Sequence, residues 1–353
     1  MSTRTRGIIA LAILIALAVV ALVLSTAVPD DDQTVIFEVK VDADGKLAYI
    51  DMTGDYGFED YLRHGSSDLD LTDFYEYLKD NVTCGRYING VIPGNCSVFE
   101  ATDADGSGYL VGRNFDYRYS MPAVVYTHAD GCYRSMSLVD MRMFVDTDED
   151  YRKLPADVRL NAAPYIPLDG VNEKGVFVCV NMVHNVSEMD MSGKTPIFTT
   201  CALRIILDHA DSAEKAVDLL QDYSLRAEGC YHLLVTDTSG DSRAIEVIDG
   251  RIKATPTELM TNHYIYPGTG VPISESSQQR YDIIRDALDA SDVMDEDRVK
   301  DVLVSVKQDS SDLSHYTRWS IVYDTEDLTA TLYLRTGQTM DYDHPIRLEL
   351  AAA

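Results

Sequence analysis

Four clusters of turn-forming residues, each set between strand-like runs, constrain this chain more than any other feature. They are Asp42-Ala43-Asp44-Gly45, Asp103-Ala104-Asp105-Gly106-Ser107-Gly108, Thr238-Ser239-Gly240-Asp241 and Asp324-Thr325-Glu326-Asp327. Such a cluster between two strands reads as a hairpin. The flanking runs are 35–41 with 47–52, 97–102 with 109–116, 231–237 with 242–247, and the two halves of 319–334. Further strands are expected at 122–128, 133–139 and 175–183. Helical spacing marks 58–64, 72–82, 275–290 and 295–307, and 198–223 reads as two helices broken and capped at Asp211-Ser212. Hairpins alternating with helix pairs predict an α+β fold of stacked antiparallel sheets covered by helices, not a βαβ parallel sheet.

The N-terminus reads differently. Arg4 and Arg6 precede an apolar run from Gly7 to Leu24, followed by Ser25-Thr26-Ala27. The run is longer than the roughly 7–15 residues of a cleaved leader core. It is close to the roughly 20 residues that span a bilayer. Residues 1–28 are therefore expected to be a signal-anchor, with a cleaved signal peptide as the alternative. Either reading places the rest of the chain outside the cytoplasm. Residues 29–95 form an accessory or pro segment that ends in a loop broken by Gly85, Gly90, Pro93 and Gly94. Residues 96–353 are expected to form the main domain.

With 58 acidic against 30 basic residues, the net charge is −28. That excludes nucleic acid as a partner, because phosphate contacts need clustered Lys and Arg. The six cysteines, at 84, 96, 132, 179, 201 and 230, include no C-x-x-C and no Cys/His cluster, so neither a metal nor another cofactor is expected. Outside the cytoplasm some of the five besides Cys96 are free to form disulfides, though five cannot all pair with one another.

Cys96 stands out by its context. It follows the Gly/Pro loop and opens a strand, whereas a cysteine there is by default a small buried apolar residue. The return strand of its hairpin carries Gly112-Arg113-Asn114-Phe115-Asp116, which folds Arg113 and Asp116 back beside it. An arginine lowers a thiol pKa and a carboxylate orients a base.

Cys96-Ser97-Val98-Phe99, then Asp105-Gly106, then Gly112-Arg113-Asn114-Phe115-Asp116-Tyr117 resembles the start of the choloylglycine hydrolase family. Asp169-Gly170-Val171-Asn172-Glu173-Lys174-Gly175 is similar to the family's D-G-x-N-E-K-G motif. Asn181, Thr261-Asn262, Gln279-Arg280-Tyr281 and Tyr316-Thr317 resemble its later segments, so the likeness covers 96–335. The family includes conjugated bile acid hydrolases, penicillin V acylases, acid ceramidase and N-acylethanolamine acid amidase.

The resemblance implies a four-layer αββα sandwich of the N-terminal-nucleophile hydrolases. It also implies a small-molecule N-acyl amide substrate: a bile acid conjugate, an N-acyl amino acid or lipid, or a penicillin V-like amide. Cys96 is then the nucleophile and its free α-amine the base. Asp116 holds that amine, and Arg113 favours the thiolate. The Asn181 backbone N–H and the Asn262 side chain receive the oxyanion, and Arg280 stabilises charge at the same centre. Bile acid hydrolases lose only an initiator Met, but this chain carries 95 residues before the cysteine. It therefore matches the self-cutting layout, with cleavage between Asn95 and Cys96. The alternatives are an acyltransferase on the same fold and a non-catalytic cell-surface binding protein. The oligomeric state stays open, a homo-oligomer included.

Other candidates carry less. His184 reads as a structural histidine. Asp68-Leu69-Asp70 and Asp103-Ala104-Asp105-Gly106 lack the terminal Glu of a calcium loop. Asn81-Val82-Thr83 and Asn185-Val186-Ser187 are glycan acceptor patterns.

Overall fold

All four hairpins form. The computed structural model describes residues 36–41, 47–65, 72–83, 96–106, 108–117, 120–144, 160–183, 193–226, 230–309 and 316–350. Residues 35–353 make one compact unit. The segment 1–28, the bond from Asn95, His184, Asp68 to Asp70 and Asn185 to Ser187 lie outside the described residues. Among the described residues no helix is long and apolar enough to cross a membrane.

Six strands make one antiparallel sheet: β3 (Cys96–Thr102), β4 (Tyr109–Tyr117), β14 (Leu259–Met260), β15 (Tyr316–Asp324), β16 (Thr329–Thr336) and β17 (Thr339–Glu349), in the order β14-β3-β4-β15-β16-β17. Nine strands make the other: β1 (Ile36–Val41), β2 (Ala48–Thr53), β5 (Pro122–His128), β6 (Ser135–Asp140), β7 (Asp169–Asn172), β8 (Phe177–Val183), β11 (Cys230–Thr236), β12 (Ser242–Ile248) and β13 (Arg251–Pro256), in that order. A two-stranded piece pairs β9 (Thr195–Phe198) with β10 (Tyr223–Arg226).

The sheets face each other. Val98, Val111, Phe115, Trp319, Ile321 and Tyr323 on the inner face of the six-stranded sheet join one core with Phe177 and Cys179 of the other. Each such side chain contributes about 1.5–3 kcal/mol by leaving water. The outer face of the nine-stranded sheet is covered by α3 (Thr199–His209) and α4 (Ala213–Leu220). On the outer face of the six-stranded sheet, Phe99, Leu110, Val322 and Tyr333 pack against Ile284 of α5 (Glu275–Asp289) and Val299, Val302 and Leu303 of α6 (Glu296–Ser305). The layers thus run helix, sheet, sheet, helix. Gly112 lets α6 close on β4, since a Cβ there would stand 2.7 Å from Val299 Cγ1.

Ser212, Ser274 and Asp295 cap α4, α5 and α6, accepting from the backbone N–H of Lys215, Ser277 and Arg298. The stretch 72–82 is α-helical only over α2 (Thr72–Tyr77) and continues as a π-helix, Leu78–Val82.

One expectation is corrected. The sheets are not wholly antiparallel: β2 pairs parallel with β5, and β9 with β10. These partners are separated by other elements, so no turn signal announces them. The described part of 29–95 joins the same sheet and core. β1 and β2 extend the nine-stranded sheet. Leu47, Ile50 and Met52, with Phe58, Tyr61 and Leu62 of α1 (Phe58–His64), belong to the main core. Tyr165 Oη donates to Tyr56 O at 2.8 Å, and the Phe198 N–H to Tyr61 Oη at 2.9 Å.

Candidate active site

Cys96 is the first residue of β3 and is buried, 2% exposed. The β3–β4 register sets it opposite Phe115 and sets Val98 opposite Arg113. Strand alternation then sends Cys96 and Arg113 to the same inner face. Arg113 Nη2 lies 3.8 Å from Cys96 Sγ and donates to Val180 O at 2.8 Å, while Nη1 donates to Asn181 Oδ1 at 3.1 Å.

Across the core, Arg113 Nε pairs with Asp169 Oδ2 at 2.8 Å, both side chains fully buried. Asp169 in turn accepts from Tyr323 Oη at 2.5 Å and Trp319 Nε1 at 3.3 Å. Asp169 opens the D-G-x-N-E-K-G motif, so the sequence carried a signal for it, but its part in holding Arg113 needs the two sheets face to face. Asn172 of the motif is structural: its Nδ2 donates to Ala210 O at 2.8 Å, and its Oδ1 closes the turn to Val176. Gly175 in that turn has φ +73°, and a Cβ would stand 2.3 Å from Thr238 Cγ2.

Asn262 and Arg280 approach the backbone of Cys96. Cys96 N–H donates to Asn262 Oδ1 at 3.1 Å. Arg280 Nη2 donates to the same oxygen at 2.7 Å, and its Nη1 to Cys96 O at 2.8 Å and Ser97 Oγ at 2.7 Å. Arg280 is therefore no surface helix residue; it is 5% exposed. Asn262 is fixed in turn by its N–H to Ser277 Oγ at 2.9 Å and its Nδ2 to Met182 O at 2.7 Å. Asn181 donates Nδ2 to Thr261 O at 3.1 Å, tying β8 to the same segment.

Asp116 meets this set from the end of β4. Its backbone N–H donates to the Cys96 sulfur. Its carboxylate accepts from Thr317 Oγ1 at 2.6 Å and Gln308 Nε2 at 2.7 Å. The Cys96 nitrogen is thus held by Asn262, and the Asp116 carboxylate by Thr317 and Gln308. Ser277 and Gln308 were not legible in the sequence as site residues, for no motif marks them, while Ser97 and Thr317 lie within quoted motifs that gave them no role.

Burial pushes the Cys96 thiol up to about 11, against the pull of Arg113. The arginine acts in the expected direction but desolvation outweighs it. Burial likewise raises Asp116 and Asp169 above the ordinary carboxylate range, opposed mainly by Arg280 and Arg113 respectively. The thiol is thus neutral near pH 7.

Among the described residues the one Cys/His/carboxylate grouping near enough for a metal is Cys132, Asp208 and His209. It lies on the α3 side of the nine-stranded sheet. Both oxygens of Asp208 are already engaged there, by Arg204 at 2.9 Å and Tyr56 at 2.5 Å. Cys96, Cys132, Cys179 and Cys201 are free thiols. Cys84 and the Cys230 side chain lie outside the described residues.

The model of the family described as acyl-coenzyme A:6-aminopenicillanic acid acyl-transferase matches residues 133–339. The sequence matches no curated protein. A variant of the conjugated bile acid hydrolase from Clostridium perfringens superposes with a TM-score of 0.53 at 15% identity, covering 72% of this chain and 92% of that one. Penicillin V acylase from Agrobacterium tumefaciens superposes with a TM-score of 0.50 at 17% identity, covering 69% and 84%. The chain shares its fold with these two structures.

Proposed function

The chain belongs to the acyl-coenzyme A:6-aminopenicillanic acid acyl-transferase family, and from that premise we propose that it is a self-cleaving cysteine amidase of linear N-acyl amides with Cys96 as nucleophile. The observation that carries this reading is the convergence on one strand-opening residue. Arg113 reaches its sulfur, while Asn262 and Arg280 hold its backbone N–H and C=O.

In the uncut chain the Cys96 thiol attacks the Asn95 carbonyl and its proton passes to the departing Cys96 nitrogen, so that the new C–S bond replaces the C–N bond to Cys96. Water then cleaves that thioester, releasing Asn95 as a carboxylate and leaving Cys96 with a free amine. An α-amine titrates near ~8, far below the buried thiol, and takes the thiol proton without a histidine. Asn262 Oδ1 already accepts from that nitrogen and stays its partner after cleavage.

The freed Cys96 sulfur attacks the substrate carbonyl. The oxyanion is received by Asn262 and the Asn181 backbone, with Arg280 behind them. The amine leaves with the proton from the α-amine, and water releases the acyl group. Residues 36–83 remain bound after cleavage, because the β2–β5 ladder and the core contacts of α1 do not depend on the severed bond. The run 7–24 carries the catalytic part outside the cytoplasm.

Mixing the purified enzyme with N-acyl amides and quenching in acid tests the reading. Peptide mass mapping is expected to find an acyl adduct on Cys96 alone; turnover with no adduct on that residue would overturn it. A second reading is acyl transfer, favoured by the family's description. Excess amine acceptor then diverts the acyl group from water to the amine, where a hydrolase releases free acid throughout.

A further inference from the structure

Behind the segment that carries Asn262, four side chains form a row across adjacent strands. Asn181 on β8 stands opposite His232 on β11. Beyond His232 comes Glu246 on β12, one step past the Leu233–Ile245 pair, and Glu246 stands opposite Lys253 on β13. Within this row His232 and Glu246 are buried, at 0% and 1% exposure. His232 Nδ1 lies 3.0 Å from Glu246 Oε1. His232 Nε2 lies 3.0 Å from Thr261 O.

A peptide carbonyl only accepts, so Nε2 carries hydrogen. The Glu246 oxygens accept from the backbone N–H of Ile265 at 2.8 Å and Tyr266 at 2.7 Å, which favours the carboxylate, so Nδ1 carries hydrogen as well. A neutral ring would leave a lone pair facing an acceptor in the dry interior, where such a mismatch is costly. Although burial raises Glu246, its bonds to His232 and to those two N–H groups leave it below the ordinary carboxylate range.

We infer that His232 and Glu246 form a buried imidazolium–carboxylate clamp that positions the Thr261–Asn262 segment, and with it the backbone of Cys96, for the reaction proposed above. The clamp fills Thr261 O from one side while Asn181 Nδ2 donates to it from the other. Ser277 Oγ pins the same segment from α5, through the Asn262 N–H and Thr261 Oγ1. Glu246 holds the loop that follows, at Ile265 and Tyr266. Held by these groups, Asn262 Oδ1 accepts from both Cys96 N and Arg280. The other charged or titratable groups around the clamp are Lys253 at the end of the row, Arg113 beyond Asn181, Arg280 beyond Asn262, and His263. His263 is lowered first by burial and then by the charge of His232, and sits between Thr261 Oγ1 and Ser277 Oγ. Neither His232 nor Glu246 touches the reacting atoms, so both are positioning residues.

The test has a spectroscopic and a kinetic arm on the mature enzyme. Long-range proton–nitrogen NMR of the wild type near pH 7 is expected to show both His232 ring nitrogens protonated; one unprotonated nitrogen overturns the clamp. Glu246→Gln is expected to lower kcat about 10- to 100-fold with KM within about threefold, as a small misplacement of a catalytic group does. Adding His232→Gln to it should recover part of the loss, because the stranded charge is gone. A folded Glu246→Gln enzyme with unchanged kcat overturns the proposal. If that variant does not fold, the wild-type NMR signature decides. A wild type with neither turnover nor acyl-Cys96 would sink the amidase reading instead, and the NMR result would still judge the clamp.

Discussion

Two buried arginine–carboxylate pairs lie on opposite faces of the nine-stranded sheet, and each has a thiol nearby. On the inner face Arg113 pairs with Asp169, whose carboxylate accepts from Tyr323 at 2.5 Å, with Cys96 beside them. On the outer face Arg204 pairs with Asp208, whose carboxylate accepts from Tyr56 at 2.5 Å, with Cys132 beside them. The charge inventories are nearly the same. Burial raises both thiols, Cys96 to about 11 and Cys132 to about 12. For Cys96 the next influence is the helpful Arg113, and for Cys132 it is the opposing Asp208. The larger difference is in the backbone. Cys96 opens a strand, and a second set of groups, Asn262 and Arg280, grips its N–H and C=O. Cys132 sits in the β5–β6 turn, its N–H donating to Ala129 O. A buried ion pair beside a thiol is therefore not a catalytic site by itself; what distinguishes one is convergence on the atoms that react.

Exchanging one sulfur for oxygen at each cluster should separate them most. Cys96→Ser is expected to lower turnover about 10⁴-fold or more, since the nucleophile acts with its base as a unit. Cys132→Ser should leave turnover within about twofold in the same amide-release assay.

Breaking each ion pair comes next. Asp169→Asn and Asp208→Asn each strand a buried arginine, at a cost of about 3–5 kcal/mol read by denaturant melts. Only Asp169→Asn should also change chemistry, lowering kcat about 100-fold in the protein that remains folded, because Arg113 loses its anchor. Equal kcat losses in both variants would erase the distinction drawn here.

Asn262→Ala removes the side chain that binds Cys96 N and Arg280. A loss of about 10²–10³ in kcat is expected, the size of one lost oxyanion donor. No residue of the Arg204 cluster should match it.

The smallest effect lies farther along β3. Burial pushes Glu100 up to about 8, with Asp237 and Glu258 adding to the rise. The acid is thus neutral in the fold and ionised when unfolded over roughly pH 4.5–8. Its stabilisation is full below that range and is lost as pH rises through it. Glu100→Gln should raise the melting temperature by several degrees at pH 8 and leave it nearly unchanged at pH 4, with turnover unaffected at either.

Local signals carried much of the fold. The turn clusters placed the hairpins, and Ser212 was readable as the cap between α3 and α4. The parallel β2–β5 pairing was not readable, since it joins strands with the whole β3–β4 hairpin between them. β17 escaped because Asp341, Asp343, His344 and Arg347 break its apolar alternation. At the site, Cys96 and Arg113 could be paired from one hairpin. Asn262 and Arg280 came from resemblance, and the structure brings both to the Cys96 backbone. Asp116 was expected to hold the Cys96 amine; its carboxylate accepts from Thr317 and Gln308, and its backbone N–H reaches the Cys96 sulfur. Asp169, His232 and Glu246 act only once strands distant in sequence lie side by side.

The most direct test is the mass and N-terminal sequence of the purified protein beside a Cys96→Ala variant. A wild-type chain beginning at Cys96 is expected to co-purify with the fragment containing 36–83, and the variant to stay whole. An uncut wild type that turns over N-acyl amides at full rate would contradict it.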